Sequence, residues 1–289
     1  MENDTQTHND KLMKRGYEIL QHCKEESITC LLWGGGAIYH MLGGKLNYRK
    51  MSDLEFLLPK KADTQLQQLL EEMGFIPYTM FNNMQNMYTM PRKEFYLPNR
   101  ELSKAEIEDV QQGRRKNIKD VEFQKIELFI DGIRMCWSFK LKKLPKSYTT
   151  SLIAPPGFQL ALKANPMHPD DFDLKDIQDI SNVLNNPNCS IEMWDTIFEE
   201  PHLDENIEFS IGTHIFERLA NSKFHFPLIL IRNFTEAFNS PSLNKIGKPK
   251  LLELINFLNP FKEKDTGSGF LSKLLARKEK PVRVDNRTR

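Results

Sequence analysis

The stretch Asp53-Leu54-Glu55-Phe56-Leu57-Leu58 alternates acidic and apolar side chains, then becomes fully apolar and meets Pro59. The alternation predicts a β-strand over 53–58, in which Asp53 and Glu55 lie on one face because successive strand side chains point to opposite faces. Two neighbouring carboxylates repel unless a cation lies between them. Mg²⁺ in proteins is held by one or two carboxylates and by phosphate oxygens. The strand therefore predicts a Mg²⁺ site for phosphoryl chemistry, with a solvated strand face as the alternative.

A glycine-rich turn precedes this strand. Residues 28–33 predict another strand, Gly34-Gly35-Gly36 end it, and residues 37–42 predict a short helix that Gly43-Gly44 close. Backbone N–H groups of a glycine turn that opens a helix approach phosphate oxygens without interference from side chains. We therefore expect Gly34, Gly35, Gly36 and Ala37 to bind phosphate. The alternative is close packing of the helix on the strand.

A third acid is found further along the chain. Residues 121–130 and 133–139 predict two adjacent antiparallel strands, joined at Asp131-Gly132 by a strong hairpin signal. Glu127 lies in the first of them among apolar residues, where an ionised carboxylate requires a partner. We therefore choose Glu127 as the third metal ligand beside Asp53 and Glu55, and keep Asp131, which the turn explains, in reserve. An exposed position on a half-solvated sheet is the alternative for Glu127.

The rest of the chain predicts mainly helices. Residues 75–99 fit short strands and loops better than a long helix. The predicted fold is therefore of the α/β (α+β) class, with a small mixed sheet and helices over residues 1–150. A mostly helical domain over residues 151–262 completes the cleft. Residues 263–289 predict a basic, disordered tail. Helical periodicity is found at residues 10–23, 64–73, 158–164, 173–184, 211–220, 228–238 and 251–258.

Composition narrows the class of protein. The 39% hydrophobic and 27% charged fractions of the 289 residues are typical of a soluble globular protein. No apolar run reaches the roughly 20 residues of a membrane helix, and the polar N-terminus lacks a signal-peptide pattern, so we expect a cytoplasmic protein without a membrane partner. The net charge of +1 indicates no overall attraction to nucleic acid. The four cysteines have no CxxC spacing, which disfavours a zinc site.

Taken together, these motifs resemble a known superfamily, the polymerase-β-type nucleotidyltransferases. Its pattern is a Gly-Gly or Gly-Ser turn, an acidic-x-acidic strand and a later strand with one more acid. The segment 34–56 is similar to aminoglycoside and lincosamide nucleotidyltransferases, and the second half resembles the abortive-infection (AbiEii-type) toxin enzymes. The stretches that carry the resemblance are Gly34-Gly35-Gly36-Ala37, Arg49, Ser52-Asp53-Leu54-Glu55-Phe56, Ile126-Glu127-Leu128, Leu152-Ile153-Ala154-Pro155-Pro156, Lys163 and Lys175-Asp176-Ile177-Gln178-Asp179.

The resemblance implies a Mg²⁺-dependent enzyme that transfers a nucleoside monophosphate from an NTP to a hydroxyl acceptor. The acceptor would be tRNA or another RNA, a protein or a small molecule, and a cognate antitoxin would be a partner. Lys163 would contact the triphosphate, and Asp176 or Asp179 would support the site. Arg49, near the acidic strand, is a further phosphate-binding candidate, with a surface charge or a salt bridge to Asp53 as the alternative.

The sequence departs from the superfamily pattern at three points. Glu55 stands where most members have Asp, and Gly36-Ala37 stand where a Ser or another polar residue is usual. The Arg that is often found shortly before Lys-Asp-x-x-Asp is absent from Asp170-Asp171-Phe172-Asp173-Leu174. Two alternatives therefore stay open beside the enzyme. One is a catalytically weakened nucleotide-binding or interaction module of the same fold, and the other is a nucleotidyltransferase that modifies a small molecule such as an antibiotic.

Overall fold

The computed structural model describes residues 2–86, 91–133, 139–140, 153–154, 156–164, 172–188 and 226–258. The helices are α1 (Glu2–Glu25), α2 (Gly34–Met41), α3 (Lys60–Glu72), α4 (Thr79–Gln85), α5 (Lys104–Gln111), α6 (Pro156–Lys163), α7 (Leu174–Asn185), α8 (Phe226–Asn239) and α9 (Gly247–Leu258), with a 3-10 turn at Arg115–Asn117. The strands are β1 (Leu31–Trp33), β2 (Asp53–Leu58), β3 (Ile76–Pro77), β4 (Arg92–Pro98), β5 (Phe123–Ile130), β6 (Gly132–Ile133) and β7 (Phe139–Lys140).

Five strands form one mixed sheet in the order β1-β2-β5-β4-β3. β2 and β5 are parallel, and the other three neighbouring pairs are antiparallel. A mixed sheet with helices is the fold class that the sequence predicts. β5 is the middle strand, so both of its edges are hydrogen-bonded to neighbours. The side chains of three strands, β2, β5 and β4, therefore meet in register on each face of the sheet.

The two faces of the sheet differ in chemistry. Leu54, Ile126 and Phe95 lie side by side on β2, β5 and β4, and all three are fully buried. α1 crosses this apolar face at Gly16, where a Cβ would lie 3.1 Å from Leu54. Burial of such side chains contributes roughly 1.5 to 3 kcal/mol each, so this face anchors the sheet. The residues between them point to the other face, which carries the charged groups.

The C-terminal helices pack on the same core. Ala154 N donates to Leu32 O at 2.8 Å, which places the start of this region against β1. α6 then packs against α2 and α7, and α7, α8 and α9 pack against one another. Ile180 and Phe234 are buried in one apolar cluster with the residues of the sheet. The division into domains near residue 150 stays a prediction.

Local signals in the sequence located several elements well. The strand Asp53–Leu58 has the predicted bounds. α2 ends where Gly43 and Gly44 adopt positive φ and donate to His40 O and Tyr39 O. α1 begins well before the predicted residue 10, and β1 begins only at Leu31. Within 75–99, the short strands are accompanied by an unpredicted short helix, α4, and β4 extends over seven residues.

The predicted hairpin at Asp131-Gly132 is wrong. β5 pairs with β2 and β4, and the residues after Asp131 pair in a separate two-stranded sheet of β6 and β7. The turn itself forms, since Asp131 has φ 59. However, both edges of β5 are already filled, so the chain cannot fold back onto it. Asp131 Oδ1 instead accepts from Lys60 N at 2.7 Å, at the start of α3.

Two predicted segments lie outside the described residues, namely the helix at 211–220 and the basic tail at 263–289. None of the helices in the described part of the chain has an apolar run that would cross a bilayer.

Candidate active site

The polar face of the sheet carries a row of carboxyl groups. Glu55 on β2 lies opposite Glu127 on β5, and Glu127 lies opposite Glu94 on β4. Asp53 is two residues before Glu55 on β2 and therefore shares this face. We call Asp53, Glu55, Glu94 and Glu127 the acidic row. The predicted third acid thus lies on the same side as the acidic pair, and Glu94 adds a fourth.

Two cations partly neutralise the acidic row. Lys125 Nζ lies 3.2 Å from Asp53 Oδ2 and forms an ion pair with Glu127. Burial opposes the charge of this side chain, but the carboxylates of Glu127 and Asp53 outweigh burial and raise the pKa of Lys125. Arg92 pairs with Glu94 at 2.9 Å and approaches Glu127 at 3.7 Å. Four carboxyl groups therefore share two cations, which leaves an excess of negative charge.

Glu55 is the least compensated member of the acidic row. No ion pair joins it to a cation within the described residues. Burial is the largest cause that raises its pKa, and repulsion from Asp53 and Glu127 brings the pKa to about 7, although Lys163 and Lys175 oppose the change. A half-buried carboxyl group with this pKa exists in both protonation states near neutral pH. Such perturbed groups concentrate at functional sites.

The glycine turn meets the acidic row at Gly34. This residue has φ 63, and a Cβ on it would lie 1.6 Å from Glu55 Oε2. Glycine is therefore required at this position for two reasons. An L side chain disfavours this backbone conformation, and the Glu55 carboxylate occupies the space that a Cβ would need. Gly34 N donates to Gln159 Oε1 at 3.1 Å. The start of α2 thus faces Glu55 on one side and α6 on the other.

Of the other residues of the glycine turn, one faces the candidate site and two pack in the core. A Cβ on Gly35 would lie 3.5 Å from Arg49 Nη1, so this glycine faces the guanidinium. A Cβ on Gly36 would lie 2.9 Å from Leu32, and Ala37 is fully buried. Gly36 and Ala37 therefore allow α2 to pack closely on β1. Of the four predicted phosphate-binding residues, Gly34 and Gly35 are those that face charged groups.

Arg49 is held between the glycine turn and α7. Its Nε donates to Asp179 Oδ1 at 2.8 Å and its Nη2 to Asp179 Oδ2 at 2.7 Å, while Nη1 is left towards Gly35. Its loop is fixed by the buried Asn9 of α1, whose side chain donates to Leu46 O and Arg49 O. The predicted alternative of a salt bridge to Asp53 is wrong, because the bidentate partner of Arg49 is Asp179.

Asp179 gathers a second group of charges. It is fully buried and also accepts from Tyr48 at 2.7 Å. Lys163 Nζ lies 3.0 Å from Asp179 Oδ2 and 3.0 Å from Asp176 Oδ1. Burial favours the neutral acid, but Lys163 and Arg49 outweigh it and lower the pKa of Asp179. We call Tyr48, Arg49, Lys163, Asp176 and Asp179 the Asp179 cluster, and it joins the loop before β2 to α6 and α7.

The carboxyl groups do not form a metal cage in this arrangement. Among the described residues, no group of three or more His, Cys, Asp or Glu side chains is placed to hold a metal ion. The physical reason lies in two contacts. The ammonium of Lys125 occupies the space between Asp53 and Glu127, and Glu55 turns towards Gly34. The oxygen-only donors and the excess of negative charge nevertheless match the ligand chemistry of Mg²⁺.

Comparisons with known proteins supply no relative for this chain. No family model matches it, and neither a curated protein nor a solved structure is similar to it at a significant level. The resemblance to nucleotidyltransferases therefore rests on the sequence motifs alone.

Sequence reasoning missed three residues of this site. Glu94 lies in a segment rich in Met and Asn that predicts short strands and loops, and only the pairing of β4 with β5 brings it to Glu127. Lys125 could have been found from the sequence, because it lies two residues before Glu127 and so shares its face. Gln159 has no local signal, since only the packing of α6 on α2 brings it to Gly34.

Proposed function

We propose that this protein is a nucleotidyltransferase, which transfers a nucleoside monophosphate from an NTP to a hydroxyl acceptor with the help of Mg²⁺. The observation that carries this proposal is the register of the acidic row. Asp53 and Glu55 on β2 and Glu127 on β5 point to one face, and Glu55 touches the start of α2 at Gly34. Phosphoryl transfer needs oxygen ligands for a divalent cation directly beside a phosphate site.

The surroundings of the glycine turn support an anionic ligand. The first N–H groups of a helix have no partner within the helix, and they carry partial positive charge. Arg49 Nη1 lies on the same side of the turn as Gly35. Gln159, which is 1% exposed, accepts from Gly34 N, and its Nε2 is a buried donor without a hydrogen-bond partner among the described residues. A phosphate oxygen would satisfy such donors.

The acidic row would hold the metal ion. Asp53, Glu55 and Glu127 offer carboxylate oxygens, which fit Mg²⁺, and Lys125 would have to give up its place between two of them. When bound, the ion supplies positive charge that neutralises the phosphate oxygens during transfer. In the reaction the acceptor oxygen attacks the α-phosphorus, the bond between the α-phosphorus and the bridging oxygen breaks, and pyrophosphate leaves.

Glu127 is the residue suited to receive the proton of the acceptor hydroxyl. It is buried, and burial is the largest cause that raises its pKa, against the opposing effect of Lys125 and Arg92. A carboxylate with a raised pKa is a stronger base near neutral pH than an ordinary surface carboxylate. Lys163 would act on a different carboxyl group. Its positive charge lies near enough to Glu55 to oppose the rise in the pKa of Glu55.

The test is direct. The full chain is incubated with each labelled NTP and Mg²⁺, together with total RNA, with aminoglycosides or alone, and released pyrophosphate and modified acceptors are measured by mass spectrometry. Glu127→Gln should lower transfer at least about 10²-fold, typical for loss of a catalytic base, while NTP binding by equilibrium dialysis stays within a few-fold.

Glu108→Gln is the matched control, because Glu108 is exposed on α5 and forms none of the contacts of the acidic row. It should keep wild-type activity. Absence of metal-dependent pyrophosphate release with all four NTPs and every acceptor class would reject the enzymatic proposal.

One observation favours a second candidate, a nucleotide-binding module with weakened turnover. Lys125 already provides a cation between Asp53 and Glu127, in the space that a metal ion would occupy. In this case the protein binds NTP with equal affinity with and without Mg²⁺ and releases no pyrophosphate. The dialysis and pyrophosphate measurements described above distinguish the two functions.

A further inference from the structure

A cavity of about 720 Å³ lies beside α1, on the apolar face of the sheet. Leu97 and Gln124 both line it, and they are direct partners in the pairing of β4 with β5. Successive strand residues point to opposite faces, so Leu97 and Gln124 share the face of Phe95 and Ile126. We call this cavity the α1 groove. The sheet separates it from the acidic row, so a ligand in the α1 groove occupies a site of its own.

Hydrogen bonds to the backbone fix two walls of the α1 groove. Asn9 is fully buried on α1, and its side chain accepts from Met51 N at 2.8 Å, which holds the loop that carries Lys50. At the end of β4, Asn99 N donates to Glu122 O at 3.0 Å, and Asn99 Oδ1 accepts from Glu122 N at 3.1 Å. The shape of the groove is therefore formed before a ligand binds, as is usual for small-molecule sites.

Three charged side chains face the α1 groove without a partner. Lys11 belongs to α1, Lys50 to the loop before β2, and Glu122 to the segment that leads into β5. All three are exposed, and none forms an ion pair with another of the three or with any other residue in the described part of the chain. The groove therefore offers two ammonium groups and one carboxylate to a ligand.

Two other basic residues of the lining are already bound. Arg15 Nη1 lies 2.6 Å from a carboxylate oxygen of Glu18, and His8 Nε2 lies 2.9 Å from Met51 O. They consequently shape the groove, whereas Lys11 and Lys50 supply its available positive charge.

The uncharged lining combines apolar surface with one unsatisfied acceptor. Leu12 is buried and Leu97 is half-buried, and both contribute hydrocarbon to the groove. Gln124 Oε1 is buried without a hydrogen-bond partner among the described residues. A buried acceptor that lacks a donor is unfavourable, so this atom favours a ligand that brings an N–H group.

We propose that the α1 groove binds a small zwitterion, namely an amino acid or a short peptide with an apolar side chain. The carboxylate of the ligand pairs with Lys11 and Lys50. Its ammonium group pairs with Glu122 and donates to Gln124 Oε1, and its side chain packs on the apolar lining. Charges of both signs without internal partners are complementary to such a ligand. Since the groove is separate from the acidic row, this binding does not depend on the proposed nucleotidyl transfer.

The experiment titrates the isotope-labelled full chain with leucine and with leucyl-leucine, without NTP or Mg²⁺, and NMR shifts give the dissociation constants. Each probe is compared with its carboxamide, which lacks the carboxylate, and with its N-acetyl derivative, which lacks the ammonium group. The zwitterion should bind at least about tenfold more tightly than either blocked form, because each blocked form loses a charged hydrogen bond. Tighter binding of leucine identifies an amino acid as the ligand, and tighter binding of leucyl-leucine identifies a peptide.

Variants of the groove test which charge meets which end of the ligand. Lys11→Gln combined with Lys50→Gln should weaken binding of the zwitterion and of its N-acetyl derivative about tenfold, and leave binding of the carboxamide unchanged. Glu122→Gln should weaken binding of the zwitterion and the carboxamide, and leave binding of the N-acetyl derivative unchanged. A general loss of structure would weaken all three compounds alike.

Two matched controls remove the same charges outside the groove. Lys14→Gln combined with Lys45→Gln changes exposed lysines of the same helix and of the loop before β2, and Glu108→Gln changes an exposed acid on α5. None of these residues lines the groove. The controls should bind the zwitterion as the wild type does.

Three outcomes would overturn the proposal. They are a wild type that binds neither leucine nor leucyl-leucine below about 10 mM, blocked forms that bind as tightly as the zwitterions, and groove variants that bind like the controls. None of these outcomes bears on nucleotidyl transfer, which is measured separately with NTP and Mg²⁺.

Discussion

The acidic row and the Asp179 cluster are both groups of charges at or below the protein surface, but their charges balance differently. In the Asp179 cluster, Arg49 and Lys163 face two aspartates, and both carboxylate oxygens of Asp179 have partners. In the acidic row, four carboxyl groups share Lys125 and Arg92. The pKa of Asp179 is lowered, whereas that of Glu55 is raised to about 7.

This difference in charge balance distinguishes a structural cluster from a ligand-binding one. A balanced buried cluster is satisfied within the chain, so it stabilises the packing of α6 and α7 against the loop before β2. An unbalanced cluster carries a free-energy cost that proton uptake or a further cation offsets. We therefore assign a structural role to Asp176 and Asp179, which hold Arg49 and Lys163 in place, and a ligand-binding role to the acidic row, and four predictions test the assignment.

The largest effect is expected at Asp179. Asp179→Ala should lower the free energy of unfolding by about 3 to 5 kcal/mol, because it leaves the largely buried Arg49 without its bidentate partner and Lys163 with Asp176 alone. Denaturant unfolding measures this loss. Asp176→Ala removes a carboxylate that is bound to Lys163 alone and is more exposed, so it should cost clearly less. Equal costs for the two variants would contradict the central position of Asp179.

The next effect concerns the contact between the glycine turn and the acidic row. Gly34→Ala should cost about 2 to 4 kcal/mol of unfolding free energy, because it combines a strained positive φ with a clash against Glu55. Adding Glu55→Ala removes the clash but not the strain. The double variant should therefore recover at least about 1 kcal/mol relative to the sum of the single changes. Strict additivity in this cycle would mean that the two residues do not touch.

The third prediction is a pH dependence of opposite sign in the two regions. The pKa of Glu55 is about 7 in the folded state and about 4.5 in a free chain, so the folded state binds more protons between these values. Its contribution to stability is therefore fully present below pH 4.5 and is lost as the pH rises through 7, by roughly 3 kcal/mol. Asp179 has a lowered pKa, so its contribution is present at neutral pH and is lost only as the pH falls below its ordinary range.

Unfolding curves of the wild type and Glu55→Gln, measured from pH 4 to 9.5, isolate this effect. The difference in unfolding free energy between the two proteins should change with pH between 4.5 and 7 and stay constant above 8. A difference that is independent of pH throughout would show that Glu55 titrates as an ordinary carboxyl group.

The smallest effect is expected at Lys125. Lys125→Met removes the cation that lies between Asp53 and Glu127, so Mg²⁺ should bind about tenfold more tightly, which corresponds to roughly 1.4 kcal/mol. Titration calorimetry with MgCl₂ in the absence of NTP measures the change. Lys104→Met, at an exposed position on α5, is the control and should leave Mg²⁺ binding as it is. Weaker Mg²⁺ binding in Lys125→Met would argue against competition between the ammonium and the metal ion.

Sequence reasoning succeeded where a short segment determines its own structure. Asp53–Leu58 alternates clearly and meets Pro59, which has no N–H to continue a sheet, so the strand and its acidic face follow from the sequence. Gly43 and Gly44 end α2 for a similarly local reason, since both adopt positive φ. The sequence therefore predicts the acidic pair of Asp53 and Glu55 and its proximity to Gly34.

Sequence reasoning failed where the partner of a segment is distant in sequence. Asp131-Gly132 does form a turn, but the pairing of β5 depends on which strands compete for its edges, and β2 and β4 fill them. The same limitation hid Glu94, which reaches the acidic row only through that pairing. The bond from Asp179 to Arg49 joins α7 to the loop before β2, and no local pattern indicates it.

The central position of β5 also has a consequence for how the chain folds. β1 pairs with β2, and β3 pairs with β4, so two short antiparallel units can form from neighbouring segments as the chain leaves the ribosome. β5 is synthesised after all four and must insert between β2 and β4. Until then, each unit exposes an unpaired strand edge, and such edges favour aggregation of nascent chains. The insertion of β5 therefore both assembles the acidic row and removes the exposed edges of β2 and β4.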